Sequence, residues 1–181
     1  ENHGALAAKS IVSSAAGVFY LGQDGFYGFG SPPRAIGAER VNNFFFQDVS
    51  SDQVTKVVGA EDPYRSVVYW SYASNSTSSD GEFDKVLCYH YVLDKWTLIE
   101  NGTFLGSMID AVSPGYNLDN IDDAFGYNLD TLPFSLDSRF FSASAPTLGG
   151  FDRNRRLGFF TGSPLAAGGR TARLALTEGR R

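Results

Sequence analysis

The residues with the greatest chemical reach in this chain are Cys88 and His90, two positions apart in Cys88-Tyr89-His90. On a strand, residues i and i+2 project from one face, so a thiol and an imidazole would stand side by side as a nucleophilic pair. The same spacing describes an interior cysteine followed by a partly exposed histidine, and that plainer arrangement is the expectation. Cys88 is the single cysteine, and His3 and His90 are the two histidines. This excludes an internal disulfide, a cysteine-based zinc site and a multi-histidine metal site.

Carboxylates are the other reactive stock. Asp110, Asp119, Asp122, Asp123, Asp130 and Asp137 crowd one region, yet none has the DxDxDG-type spacing of a calcium loop, and they read as solvated loop acids. A carboxylate pair is all that glycoside hydrolysis needs, but no pair stands out among the 20 Asp and Glu. The chain has no phosphate loop, no HExxH and no GxSxG, and GFGSPPRAIG lacks the spacing of a dinucleotide fingerprint. The sequons Asn75-Ser76-Thr77 and Asn101-Gly102-Thr103 are weak signals in a chain rich in Ser and Thr. The expectation is a protein that is not an enzyme, with no catalytic residue, no cofactor and no metal.

Charge is unevenly spread. Residues 1–138 carry seven Lys/Arg and eighteen Asp/Glu, net −11, and residues 139–181 carry eight Arg and two acids, net +6. A solvated acidic face with an Arg-rich strand explains this, and complementary charge between neighbouring subunits is the sharper alternative. An acidic chain is a poor duplex-DNA binder, although an acidic wall lets DNA slide past.

The elements that would position these residues are short strands. Aromatics make up 14% of the 181 residues, and turn signals recur throughout, which favours an all-β fold. Gly17–Leu21 and Phe26–Phe29 flank Gln23-Asp24-Gly25, whose Asp-Gly signals a hairpin, with Phe19 and Leu21 on one face and Val18 and Tyr20 on the other. SPPRAIG then leads into another short strand. Ser50 or Ser51 is placed to cap a helical turn over Asp52–Lys56, and Phe44, Phe45 and Phe46 read as packing residues. The clearest unit is 56–100, with strands KVVGA, SVVYWSY, KVLCYHYV and KWTLIE. An Asp-Pro turn joins the first two, an exposed NSTSSDGEF loop separates the second and third, and Leu93-Asp94 links the last two. Four antiparallel strands in this length match one β-propeller blade, with Trp70 and Trp96 as core anchors. GYNLD occurs at 115–119 and again at 126–130; this stretch reads as a loop with a helical turn through Leu118, Ile121, Phe125, Leu129 and Leu132. RFFSAS, TLGGF, RLGFFTG and ARLALTEG resume strand patterns, with Phe159, Phe160, Leu174 and Leu176 as core positions.

The ordered run of SIVSSAAGVFYLGQDGFYGFG, IGAERVNNFFFQDV, GAEDPYRSVVYWSY, DKVLCYHYVLDKWTLIE, LDTLPFSLDSRFF, LGGFDRNRRLGFFTGSPLAA and ALTEGRR resembles bacteriophage and prophage tail structural proteins. These relate to the tail-hub, nozzle and packaged-DNA-stabilisation proteins of short-tailed phages. The resemblance implies a virion structural protein, a propeller-containing subunit in a ring, commonly sixfold, around the DNA exit channel used in DNA ejection. It implies other tail or portal proteins as partners, with DNA passing nearby.

The fold expectation is therefore a single domain over 1–181: β-propeller-type antiparallel blades in a partial propeller, with one or two short helical turns. The start at Glu1 and the stop at Arg181 suggest a piece of a longer chain. Sheet edges left open must be covered, so oligomerisation is expected, with loops Asn75–Phe83 and Ser113–Ser138 contacting neighbours. No apolar run approaches the ~18 residues of a membrane span and no signal-peptide pattern opens the chain, so a soluble protein without membrane insertion is expected. Two rival readings are a propeller-type module that binds a host glycan or protein, with Tyr64, Tyr72 or Tyr116 stacking on sugar, and a glycosidase with an unmarked carboxylate pair.

Overall fold

Short aromatic-rich strands cannot bury their side chains as isolated hairpins and must stack sheet on sheet. The computed structural model describes residues 4–76, 82–100, 105–112, 130–131, 135–137, 141, 146–152 and 157–159, and it is mostly β. The first antiparallel sheet contains β1 (Val12–Ser14), β2 (Gly17–Leu21), β3 (Phe26–Gly28) and β4 (Arg34–Ala35), in chain order. Helix α1 (Asn42–Asp48) and a 3-10 turn over Val54–Lys56 lead to the second sheet. That sheet contains β5 (Val58–Asp62), β6 (Val67–Tyr72), β7 (Lys85–His90) and β8 (Lys95–Glu100), again in chain order. The third contains β9 (Leu105–Val112), β10 (Pro146–Asp152) and β11 (Leu157–Phe159).

The second sheet is the middle layer. Register places Gly59, Trp70, Leu87 and Leu98 in one cross-strand row, and Val68, Tyr89 and Trp96 in the next row on the same face. This face packs against Phe19, Leu21 and Phe26 of the first sheet and Phe45 of α1. The alternate residues Ala60, Tyr69, Val86 and Cys88 face the other way, onto Met108 and Leu148 of the third sheet. Strands β6 and β7 are thus buried on both faces. This is why SVVYWSY and KVLCYHY are almost continuously apolar rather than alternating.

The layer between the first two sheets is aromatic. Trp70 and Trp96 stack at 5.7 Å, and Phe26 lies 4.8 Å from Trp70 and 5.2 Å from Trp96. Trp96 sits 4.6 Å from its cross-strand partner Tyr89. Both indole N–H groups are satisfied across the interface: Trp70 Nε1 donates to the Ser10 carbonyl at 2.9 Å and Trp96 Nε1 to the Ile36 carbonyl at 3.1 Å. Both tryptophans are core anchors, as their place in the pattern indicates.

Several boundaries differ from the sequence reading. The strand read as KVVGA runs two residues later, over Val58–Asp62. The strand read through Val92 ends at His90, because residues 91–94 form the turn and Asp94 holds a left-handed φ of 52°. Asp24-Gly25 ends a four-residue loop, 22–25, closed by Gly22 N–H on the Gly25 carbonyl at 2.7 Å. The helical turn over Asp52–Lys56 is a 3-10 turn with no side-chain cap; Ser50 contributes its carbonyl to Gln53 N–H instead. The principal helix is the Phe44-Phe45-Phe46 segment itself, whose Phe45 is buried while Phe44 is exposed. Strands β1 and β9 were absent from the sequence reading. Phe83, read as part of an exposed loop, is buried. The second GYNLD, apart from exposed Asp130, lies outside the described residues, as do the first GYNLD, the strand ARLALTEG and Phe160, Leu174 and Leu176. RFFSAS is described only at Phe141, which is not in a strand.

Two glycines allow the layers to close. Gly25 has a φ of +155°, and a Cβ there would collide with the Asn42 side chain, which accepts from Phe26 N–H (3.3 Å) and donates to the Asp24 carbonyl (3.2 Å). A Cβ on Gly59 would collide with Val12 and stand 2.9 Å from the Ser10 carbonyl, so β5 approaches β1 only as glycine. Gly59→Val should therefore destabilise the protein by about 1–3 kcal/mol through overpacking. Denaturant unfolding measures this, and an unchanged midpoint would contradict the close approach.

Candidate functional site

The groups able to do chemistry fall into four places, each set by strand alternation or by a turn. Cys88 and His90 sit on β7 as expected for alternate positions, but they are not coupled. Cys88 is buried among the residues facing the third sheet, and its thiol is directed to the Val86 carbonyl at 3.9 Å. Burial pushes the thiol's pKa well up, the reverse of what an activated thiolate needs. His90, half-buried at the strand end, uses Nδ1 to accept the Leu93 N–H at 3.3 Å and so holds the β7–β8 turn.

Glu61 and Asp62 are both buried, but they are strand neighbours and project to opposite faces. Glu61 accepts the Tyr91 hydroxyl at 3.1 Å. Asp62 Oδ1 accepts Tyr64 N–H at 3.1 Å and Arg65 N–H at 3.3 Å, fixing the hairpin turn that Pro63 begins. Asp62 also faces Tyr69, whose hydroxyl is pushed up to about 12, mainly by burial and then by Cys88 and Asp62.

At the C-terminal end of α1, Asp48 binds Lys85 Nζ at 2.7 and 2.9 Å and the Tyr72 hydroxyl at 2.8 Å. Tyr72 is fully buried; burial first, and then its bond to Asp48, raise its pKa strongly. This corrects the reading of Tyr72 as a sugar-stacking aromatic. Asp84 accepts Ser74 N–H at 2.7 Å and the Ser74 hydroxyl at 2.5 Å. Asn75 of the first sequon donates to the Gln47 carbonyl at 2.9 Å, and its N–H to the Asp48 carbonyl at 2.7 Å, terminating α1.

The fourth place is a polar cleft of about 390 Å³ where the outer strands of the first two sheets meet, lined by Arg34, Glu39, Arg40 and Asp94. Arg40 Nη1 lies 2.8 Å from Asp94 Oδ2 and Arg34 Nη2 lies 3.5 Å from Oδ1. The Tyr89 hydroxyl donates to Asp94 at 2.8 Å and accepts from Arg34 at 3.2 Å. Glu39 and Asp94 both hold left-handed backbone, at φ 59° and 52°. Sequence reasoning missed this cluster. Its members are up to 60 positions apart, so no local spacing connects them, and only the Asp in a tight turn gave a signal.

Of the carboxylates suspected of metal binding, Asp110 lies within strand β9 rather than in a loop, and Asp130 and Asp137 are exposed. Asp119, Asp122 and Asp123 lie outside the described residues. Among the described residues, no group of three His, Cys, Asp or Glu is placed to hold a metal ion, and no helix is long and apolar enough to cross a membrane. Tyr64 is exposed, and Tyr116 lies outside the described residues. No family model and no curated protein matches the chain.

Two outcomes follow. The hydrogen bond from Tyr89, and then Arg40, hold the Asp94 carboxyl below its ordinary value of 3.8. A carboxyl whose folded pKa is depressed stabilises the fold above its unfolded value, and that contribution disappears as pH falls through the folded value. Asp94→Asn should lower stability at neutral pH, with the gap to wild type closing below about pH 4; unfolding midpoints across pH would show a constant gap if the cluster were idle. Separately, Cys88 should resist a thiol reagent in the folded protein and react once denaturant unfolds it. Rapid labelling at neutral pH would restore the nucleophilic pair.

Proposed function

We propose that this chain is a virion structural protein of a phage tail, part of a hub or nozzle ring around the DNA exit channel, with propeller-type architecture. The observation that carries the reading is a taper. Three antiparallel sheets follow one another in the chain and stack face to face, and their first strands, β1, β5 and β9, lie side by side. Between the first two sheets, the first strands meet at Gly59 against Val12. The last strands meet through Trp96, Ile36 and Arg34 reaching the β7–β8 turn. Small residues between first strands and large ones between last strands suit sheets that fan out from an axis, which is the geometry of propeller blades.

The ordered motif resemblance supports the tail assignment, and the roles found for the buried and half-buried groups support a scaffold. Cys88, Glu61, Asp62, Asp48 and Asp84 all hold turns, strands or the helix. In this reading the first strands face the channel, and copies of the chain and other tail or portal proteins form the wall. The exposed Tyr64 and, separately, the polar cleft at Arg34 and Asp94 favour a second reading, a module that recognises a host glycan.

Native mass measurement with electron microscopy tests the proposal. The expected outcome is a closed ring of several copies with a central opening. A chain that stays monomeric and gives a specific micromolar hit on a glycan array would favour recognition. Hydrolysis abolished by a single Asp or Glu substitution would establish an enzyme.

A further inference from the structure

The cleft at Arg34, Glu39, Arg40 and Asp94 holds more hydrogen-bonding capacity than its own network uses. Arg34 meets Asp94 and Tyr89 through Nη2, and Arg40 meets the Asp94 carboxylate and carbonyl through Nη1. A guanidinium carries five N–H donors, so donors on the other nitrogens of both side chains remain for a ligand. The Glu39 carboxylate lines the same cleft and enters no hydrogen bond or ion pair among the described residues. The walls that carry these groups are fixed. The Gly37 carbonyl accepts the N–H groups of Arg40, Val41 and Asn42 at 3.3, 3.1 and 3.1 Å, and buried Ile36 and Val41 anchor the loop on either side of Glu39. On the facing turn, Tyr89 and Arg40 hold Asp94. Glu39 and Asp94 keep left-handed backbone, φ 59° and 52°, which residues other than glycine adopt at a cost and which recurs at ligand sites. A preformed cleft spares a ligand the cost of ordering its walls.

The lining indicates the ligand. Its volume of about 390 Å³ falls within the roughly 300–1,000 Å³ of small-molecule sites, but four of its seven lining residues are charged. An apolar ligand would take water from those groups without replacing its hydrogen bonds. Two of the charges are positive, Arg34 and Arg40, and two are negative, Glu39 and Asp94. An anion or a cation therefore meets as many like charges as opposite ones. A hydroxyl both donates and accepts, so a ligand with several hydroxyls can use the carboxylate and the guanidiniums together. We propose that this cleft binds a neutral, hydroxyl-rich ligand, a saccharide, whose hydroxyls donate to Glu39 and accept from the remaining N–H groups of Arg34 and Arg40. The inference rests on the recognition reading, to which it gives a site, and it is independent of any ring. The lining residues include no aromatic ring to stack on sugar, so the affinity is on the order of millimolar.

Saturation-transfer NMR on the full chain tests this, with glucose, galactose, maltose and lactose as probes and inorganic phosphate and glycine as charged competitors. At least one sugar should give a saturable signal. Glu39→Gly removes a carboxylate that the fold does not use and suits the left-handed backbone, and Arg34→Ala removes one guanidinium. With native circular dichroism retained, each should weaken sugar binding by about fivefold or more, while Tyr64→Ala leaves it unchanged. Binding that both cleft variants retain and Tyr64→Ala abolishes would overturn the cleft site and leave the recognition reading standing. No saturable signal from any of the four sugars would overturn the site and count against that reading as well. Displacement of the bound sugar by phosphate or glycine at equal concentration would show a site that selects charge, and would also overturn the proposal.

Discussion

The structure depends on two indole hydrogen bonds made across the first sheet-to-sheet interface. Trp70 and Trp96 both belong to the second sheet, yet their donors reach Ser10, just before β1, and Ile36, just after β4. The first sheet is thereby gripped at both of its edges. A tryptophan buried without a partner for its N–H carries a desolvation cost of about 1–3 kcal/mol, so the stacking register that satisfies both indoles is strongly preferred over one that slips. Ser10 extends the grip: its hydroxyl accepts Leu21 N–H at 3.0 Å and donates to the Ala7 carbonyl at 2.7 Å. The 3-10 turn Ala8–Ser10 thus joins β2, β6 and its own backbone.

Around this aromatic layer runs a polar perimeter held by four carboxylates. Asp24 accepts the Tyr27 hydroxyl, Asp48 takes Lys85 and Tyr72, Asp84 holds Ser74, and Asp94 gathers Tyr89, Arg34 and Arg40. Ion pairs as exposed as Arg34–Asp94 contribute little net stability. Their use is directional: each ties a turn or helix end to a particular strand. An acidic composition here reflects turn and edge chemistry, which is why counting acids could not separate a scaffold from a hydrolase.

Much of the second sheet was legible in the sequence because its code is local. Apolar runs with Asp-Pro and Leu93-Asp94 turns place four strands within one or two residues of their positions, and the Trp anchors follow from size alone. The errors have physical reasons. Strand β1 is only three residues long, below the length at which alternation can be recognised. Strand β9, Leu105–Val112, mixes Gly, Ser and Asp into its run and reads as loop. Helix α1 was hidden because β-prone phenylalanines occupy it, and only packing of Phe45 onto Phe26 and Tyr72, at 4.9 and 5.0 Å, favours the helix. Tyr72 looked like a surface aromatic because nothing local reveals that Asp48, 24 positions away, waits for its hydroxyl.

The way the sheets finish their outer edges bears on how copies of the chain could meet. An open edge strand invites pairing with another chain unless it is short, charged or covered. Strand β4 is two residues long and both are exposed, one of them Arg34. Strand β8 shows Lys95, Thr97 and Glu100 to solvent while turning Trp96 and Leu98 inward. Both edges are therefore poor templates for strand addition. Four of the exposed large apolar side chains, Phe29, Tyr64, Val92 and Leu93, lie between strands, where no backbone ladder is on offer and contact must be made by side chains. Association through side chains can be specific and reversible, whereas edge pairing tends toward open-ended aggregation.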